Sequence, residues 1–360
     1  MKTIGKLIAY PVLAVNLAVS LLMVFSSYGS LAAPIGKWPF ASLSGLAFPA
    51  FFILNLLFLV LWLLTWRKAA LLPFTTIVIC IFAILDYCPF HPGVGKKATE
   101  PYLTVMTYNT HGFGIDDNKE WTLKNPVFNY ILEMDADLVF LQEATLEIMT
   151  KASAEKKILD QYPYIGNPQT YGAPIAYLSK YPVICDKPIK FENSDNGCQH
   201  LKILINNDTL AVFNCHLQSN GLKSDEISEY HQFIEHPADS THYDTSKKVL
   251  KKLLQSTSQR ASQARMISEM AQAETARFII VCGDFNDTPL SYSHRVFDRF
   301  MTDAYSKSGV GMGITYHEHK LYYRIDHIFC SKNITPLHTW VDRTVKDSDH
   351  YPVISRIRLE

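Results

Sequence analysis

No two cysteines in the 360-residue chain stand in a CxxC arrangement, which excludes a structural zinc site of the usual sort. Net charge is lacking too. The 34 basic residues balance 34 acidic ones, and no extended basic stripe marks a nucleic-acid track. Internal repeats and low-complexity tracts are missing, which excludes solenoids and compositionally biased arrays. The most local absence lies at the front. No charged residue occurs between Lys6 and Lys37, between Lys37 and Arg67, or between Lys68 and Asp86. Each run is long enough for the roughly 17 to 25 apolar residues of a membrane helix.

The sequence therefore predicts a transmembrane region over residues 1–90, with spans at 7–25, 46–66 and 69–86. A linker follows over 91–101, rich in Pro and Gly at Pro92, Gly93 and Gly95, and then a domain over 102–360. The first run also reads as a secretory signal peptide, since Lys2 and Lys6 precede it and Ser30-Leu31-Ala32-Ala33 offers small residues. Its length exceeds the roughly 7 to 15 apolar residues of such a peptide, which favours a retained helix. Basic residues set the orientation. Lys2 and Lys6 flank the first span and Arg67-Lys68 fills the short turn between the second and third, so both belong in the cytoplasm. Three crossings then carry the domain outside it, against the countersignals Lys37, Lys96 and Lys97. Trp38, Trp62 and Trp66 read equally as interface markers and as packing between spans.

Within the domain, runs rich in Val, Ile and Phe alternate with helical stretches at 121–134 and 246–274, which argues α/β. The most telling segment is Gly283-Asp284-Phe285-Asn286-Asp287-Thr288-Pro289, after the apolar run Phe278-Ile279-Ile280-Val281-Cys282. Period two aims Asp284 and Asn286 the same way, and Gly283 lets the backbone approach closely. An acid and an amide converging at a strand end is what steering water toward phosphorus requires. Five other segments repeat the pattern: apolar runs deliver Asn109, Glu143, His216 and Asp326, and Asp349-His350 precedes a last apolar strand. Singly, Asn109 reads as a turn cap, Glu143 as a first-turn acid and Asp326 as a partner of Arg324. Together, over about 240 residues, they read as one rim of strand ends around a site.

In this order YNTHGF, LQEA, HLQS, GDFNDTP, RIDHIF and SDHYPV resemble the endonuclease/exonuclease/phosphatase superfamily, the DNase I-like phosphoesterases, over residues 101–360. The segments AYLSKYP at 176–182 and GVGMGITY at 309–316 agree. The resemblance implies a four-layered α/β sandwich of two packed sheets flanked by helices, and metal-dependent hydrolysis of a phosphoester. It implies Glu143 as principal ligand of Mg²⁺, with Mn²⁺ as a substitute, supported by Asn109 and Asp349. Asp284 would orient or deprotonate the water, and Asn286 and His216 would contact the phosphoryl or leaving group. His350, fixed by Asp326, would transfer a proton or stabilise charge. Some branches carry an acid two residues after the asparagine, where this chain has His111.

Residues 1–100 hold seven Lys/Arg and two Asp/Glu, leaving 27 and 32 for the domain, which is acidic by five. That weighs against nucleic acid as partner, although a metal is able to neutralise phosphate. The resulting expectation is an integral protein of a bacterial-type inner or plasma membrane, held in the lipid bilayer by its N-terminal helices. Its extracytoplasmic domain would hydrolyse a lipid headgroup or a small phosphoester; the alternatives are a nuclease for DNA or RNA and an inactive membrane scaffold. Cys215, Cys282 and Cys330 read as buried small hydrophobes, while an oxidising compartment permits a bridge between Cys185 and Cys198. His317-Glu318-His319 reads as an exposed loop rather than a metal pair.

Overall fold

The computed structural model describes residues 3–32, 39–91, 101–114, 125–166, 174–221, 243–318 and 321–360. The charge-free runs are helical, the conformation that satisfies every backbone group within one segment. One helix spans Thr3–Ala32; a short helix, Pro39–Leu43, runs through a 3-10 turn at Ser44–Ala47 into Phe48–Thr65. Ala9–Leu31 and Pro39–Thr65 are each long and apolar enough to cross a membrane. The third expected span is split instead into Leu71–Ile79 and Ile81–Tyr87, which meet at Cys80 where the backbone leaves the helix (φ −89°, ψ 11°). Neither piece alone is long enough to cross a bilayer. Trp62 is buried and its indole N–H donates to Asn16 Oδ1 at 3.0 Å, so it packs between helices rather than marking an interface. Lys37, Trp38, Lys96 and Lys97 lie outside the described residues.

The domain is built on two six-stranded sheets. The strands are β1 (Leu103–Asn109), β2 (Leu138–Gln142), β3 (Tyr164–Gly166), β4 (Ala176–Ser179), β5 (Val183–Lys190) and β6 (Gly197–Ile205). They continue with β7 (Asp208–His216), β8 (Phe278–Asp284), β9 (Thr302–Asp303), β10 (Asp326–Cys330), β11 (Ile334–Val341) and β12 (Val353–Leu359). One sheet runs β11-β12-β1-β2-β4-β3 and the other β5-β6-β7-β8-β10-β9. Burial on both faces explains why the central strands read as continuous apolar runs. Val105, Phe140, Leu201, Val212, Ile280 and Ile328 fill the space between the sheets. Met106, Tyr108, Val139 and Leu141 point outward under the helices Pro126–Met134 and Leu146–Ala154, and Phe213, Val281 and Phe329 under the helix Tyr243–Ala273. This is the four-layered α/β sandwich expected.

The helix expected over 121–134 begins among described residues at Pro126, capped where Asn125 Oδ1 accepts the Phe128 N–H at 3.0 Å. The helix expected from 246 runs Tyr243–Ala273. The Cys185–Cys198 bridge that an oxidising compartment would permit is not formed. Cys185 on β5 faces Lys202 in the ladder, whereas Cys198 on β6 lies directly opposite Cys215 on β7 with sulfurs 3.3 Å apart. All seven cysteines are free thiols.

The bundle and the domain meet at one end of the helices. Leu290 is fully buried among Met23, Phe48, Cys80, Ala83 and Tyr87. Ser30 Oγ donates to the Leu290 carbonyl at 2.5 Å, the Tyr292 N–H to Ser42 Oγ at 2.9 Å, and Arg295 Nη1 to Asp86 Oδ2 at 2.8 Å. Arg324, the alternative partner that the sequence offered Asp326, instead donates to the Asp86 carbonyl.

Candidate active site

Three neighbouring strands of one sheet bring three side chains together. Gly283 sits at φ +126°, and a Cβ there would stand 1.9 Å from the Cys215 carbonyl oxygen, so only glycine allows β8 to lie this close to β7. The ladder then sets His216 opposite Asp284 and Asp284 opposite Asp326. From the other sheet, β1 ends at Asn109 beside the end of β2, where Glu143 follows Gln142. The two sheets are tied beneath the site by Gln142 Nε2, which donates to Asn214 Oδ1 at 2.6 Å.

Asp284 is 1% exposed and lies at the centre. Its Oδ1 accepts the Asn286 N–H at 2.7 Å; its Oδ2 accepts Asn109 Nδ2 at 2.9 Å and faces His216 Nε2 at 3.6 Å and His350 Nε2 at 3.8 Å. Asn286 Nδ2 donates to the Leu217 carbonyl at 3.1 Å. Burial, and then the neighbouring Asp326 charge, push the Asp284 carboxyl above its ordinary value, while His350, His216 and Asn109 pull it back. His350 Nδ1 and Asp326 Oδ2 are 2.8 Å apart. Burial alone would lower the His350 imidazole, but the Asp326 and Asp284 charges outweigh it and raise it to about 10. The second oxygen of Asp326 has no hydrogen-bond partner among the described residues.

Glu143 is more open, its side chain 36% exposed, with Oε1 3.2 Å from Asn109 Nδ2 and 3.8 Å from His216 Nε2. Asp349 comes to the same corner through His111, whose Nδ1 is 3.3 Å from Asp349 Oδ1 and 3.8 Å from Glu143 Oε2. Apart from this His111 contact, Asp349 Oδ1 is buried without a hydrogen-bond partner among the described residues. Two carboxylates, one partly solvated, with the Asn109 side chain beside them, fit a hard divalent cation that keeps some of its water. A second grouping, Asp284, Asp326 and His350, has ligand atoms within 4.8 Å of one another. It is fully buried and carries an imidazole held in its protonated range, so the open corner is the better cation site.

Several site residues had no clear sequence signal. Ser348 Oγ donates to the Asn109 carbonyl at 2.8 Å and accepts the His350 N–H at 3.2 Å. Thr315 Oγ1 accepts the N–H groups of Ile325 and Asp326, and the Tyr316 ring packs 5.2 Å from the His350 ring. Their signal was membership of the SDHYPV and GVGMGITY segments. Glu143, Asn286 and His111 adopt left-handed φ of 53°, 51° and 44°, at a cost of order 1 kcal/mol for the first and last. His317 is half-buried and stacks on Tyr351 rather than standing exposed, and His319 lies outside the described residues. Another buried trio, His294, Asp303 and His327, supports the site from behind: the Asp303 carboxylate is filled by His294, Ser306 and the Tyr305 N–H, and His327 Nε2 is 2.9 Å from the Asp287 carbonyl.

Comparison with known proteins gives consistent findings. Residues 106–350 match the model of the Endonuclease/Exonuclease/phosphatase family. Residues 6–87 match that of a Domain of unknown function (DUF8431). No curated protein matches the chain. The chain is similar in fold to the endonuclease/exonuclease/phosphatase from Bacteroides vulgatus, with a TM-score of 0.52, 16% identity, and 72% of this chain and 100% of that one covered. D. rerio TDP2 complexed with single strand DNA product gives the same TM-score, 0.52, at 16% identity, 72% and 100% covered. The endonuclease/exonuclease/phosphatase from Beutenbergia cavernae gives 0.50 at 14% identity, with 72% of each chain covered.

Proposed function

The chain belongs to the endonuclease/exonuclease/phosphatase family, whose members are metal-dependent hydrolases of ester bonds, and from that premise we propose a membrane-anchored phosphoesterase that acts on lipid headgroups outside the cytoplasm. The observation that carries the lipid reading is the seating of Leu290. It lies four residues beyond Asn286 and is fully buried in the helical bundle. Four residues span at most about 14 Å, so the catalytic loop stays within that reach of the bundle. The contacts to the domain come from Ser30, Ser42 and Asp86, all at helix ends remote from the basic Arg67-Lys68 turn. With that turn in the cytoplasm, the site stands over the opposite face of the bilayer.

In the proposed reaction Asp284 accepts the proton of the attacking water. Asn286 N–H fixes one of its oxygens and Asn109 Nδ2 the other, so the carboxylate does not rotate away from the water. The raised Asp284 carboxyl is the stronger base for it. Asp326 holds His350 by Nδ1 and leaves Nε2 directed at the reacting centre, where the protonated ring donates to a phosphoryl or leaving oxygen. His216 Nε2, between Glu143 and Asp284, contacts the same phosphate. Mg²⁺, or Mn²⁺ in its place, would be held by Glu143 and Asp349 with Asn109 beside them and supplies positive charge that offsets the phosphate oxygens.

The test is turnover by the full chain in proteoliposomes with Mg²⁺. Sphingomyelin-like lipids, phosphatidylinositol phosphates, plasmid DNA and RNA would be compared. Release of a phosphorylated or dephosphorylated headgroup well above nucleic-acid cleavage is expected. DNA or RNA cleavage with inert lipids would replace the lipid reading with that of a nuclease.

A further inference from the structure

The loop Gly309-Val310-Gly311-Met312-Gly313 exposes two apolar side chains on a backbone that is pinned in place. Val310 is 54% exposed and Met312 38%. Tyr305 Oη donates to the Val310 carbonyl at 2.7 Å, and the Gly311 N–H donates to the Pro89 carbonyl at 2.9 Å. Gly313 sits at φ +60° with the Tyr305 ring 2.4 Å from where a Cβ would be, which closes the loop against the tyrosine. A rigid loop that shows two apolar residues to water gains nothing for the fold by doing so.

Its neighbours identify what covers it. Pro89 comes two residues after the end of the Ile81–Tyr87 helix, and Phe90 beside it is 70% exposed. Phe82 and Leu85 on that helix are 72% and 44% exposed, so exposed apolar side chains lead from the bundle to Phe90, whose neighbour Pro89 is bonded to the loop that carries Val310 and Met312. Two exposed cations flank it: Lys307, just before the loop, and Arg343, which lines the same concavity of about 340 Å³ with Val310 and Met312. Apolar side chains at the level of the last helical turn, edged by cations, match the boundary between acyl chains and phosphate groups.

We propose that Val310, Met312 and Phe90 seat the domain in the extracytoplasmic leaflet, with Lys307 and Arg343 on its phosphates. The inference rests on the membrane reading above and adds a second contact beyond the spans. It also bears on the reaction, because Thr315 and Tyr316, just past this loop, contact Asp326 and His350: Thr315 Oγ1 accepts the Asp326 N–H and the Tyr316 ring packs on the His350 ring. A loop fixed at the lipid boundary would set the height of the site, so that a phosphoester in the leaflet reaches His350 without leaving the bilayer.

The test uses the full chain with Cys88 and Cys185 replaced by serine, reconstituted in vesicles of phosphatidylcholine and phosphatidylglycerol. Single cysteines at Phe82, Val310, Met312 or Asp160 carry an environment-sensitive fluorophore, and nitroxide-bearing lipids serve as quencher. Asp160 lies beside β3, the edge of its sheet opposite β11, and β11 packs on the helix bearing Lys307. Quenching at 310 and 312 comparable to that at 82, with none at 160, is expected. Quenching at 82 alone would overturn the inference and leave the anchoring intact. No quenching at 82 would remove the membrane reading and this inference with it. As an independent readout, the V310D/M312D double variant should raise the apparent KM for a vesicle-borne phosphodiester about tenfold and leave hydrolysis of soluble bis(p-nitrophenyl) phosphate unchanged. Equal kinetics on both substrates would count against a leaflet contact.

Discussion

The helical bundle and the strand-end cleft both bury polar side chains, but the Asn16, Ser20, Asn55 and Trp62 cluster of the bundle closes its arrangement and the cleft does not. In the bundle, Ser20 Oγ donates to Asn55 Oδ1 at 2.9 Å, Trp62 Nε1 to Asn16 Oδ1 at 3.0 Å, and Asn55 Nδ2 to the Phe51 carbonyl at 2.9 Å. In the cleft, Asp326 Oδ1 and His216 Nδ1 are buried with no hydrogen bond from any described residue. A buried polar atom left unmatched costs about 1–3 kcal/mol. A closed polar cluster therefore reads as glue between helices, and an open one as a place shaped for a ligand. The same contrast separates Asp303, whose carboxylate is filled, from Asp349, whose Oδ1 meets only the largely exposed His111 ring at 3.3 Å among the described residues.

The sharpest way to break that comparison is to remove one group from the cleft. Asp284→Ala should lower turnover by roughly 10²–10⁴-fold at any Mg²⁺ concentration while the fold, read by circular dichroism, persists. Retained turnover would move the base elsewhere. Asp326→Asn should cost roughly 10²-fold, since it keeps the shape of the His350 contact and loses its charge. Combined with His350→Ala it should cost little more than His350→Ala alone, because residues acting as a unit are not additive. Multiplying losses would separate the pair.

A gentler probe distinguishes metal ligation from proton transfer. Glu143→Ala should raise the Mg²⁺ concentration needed for half activity and recover in part at saturating metal, unlike Asp284→Ala. Indistinguishable responses of the two variants would mean the open corner is not the cation site. In chelator, where no added metal charge intervenes, the His350–Asp326 pair should also appear in stability. The folded imidazole is raised to about 10, so its contribution is full below the unfolded value near 6.5 and lost as pH climbs toward 10. Denaturant midpoints should fall over that window for the parent chain and flatten for His350→Gln.

Much of this was legible in the sequence for a physical reason. Strands buried on both faces read as apolar runs, and the polar residue that ends each run stands out against them, which is why Asn109, Glu143, His216, Asp284 and Asp326 were visible. Residues that act through backbone groups were not. Ser348 and Thr315 work through hydrogen bonds to main-chain atoms, the Asn109 carbonyl for the one and the Ile325 and Asp326 N–H groups for the other, and nothing in their own neighbourhood announces those partners. Cys198 and Cys215 met only through the β6–β7 register, which spacing does not reveal. The break at Cys80 was equally hidden, because hydropathy reports how apolar a segment is and not whether its helix is continuous.

The smallest effect belongs to the bundle, and it completes the comparison from the other side. Asn55 joins the helix Phe48–Thr65 to the helix Thr3–Ala32 by accepting from Ser20 and standing 3.5 Å from Asn16 Nδ2. Interhelical hydrogen bonds in bilayers contribute about 0.6 kcal/mol on average and rarely more than about 1.7. Asn55→Ala should thus lower the melting temperature of the full chain in detergent by a few degrees and leave kcat per folded molecule unchanged. Ser20→Ala should do less, since it removes one donor and leaves Asn16 within reach of Asn55. A loss of turnover in either variant without loss of folded protein would show that the polar cluster of the bundle is not mere glue, and that the line drawn between closed and open polar groups fails in this chain.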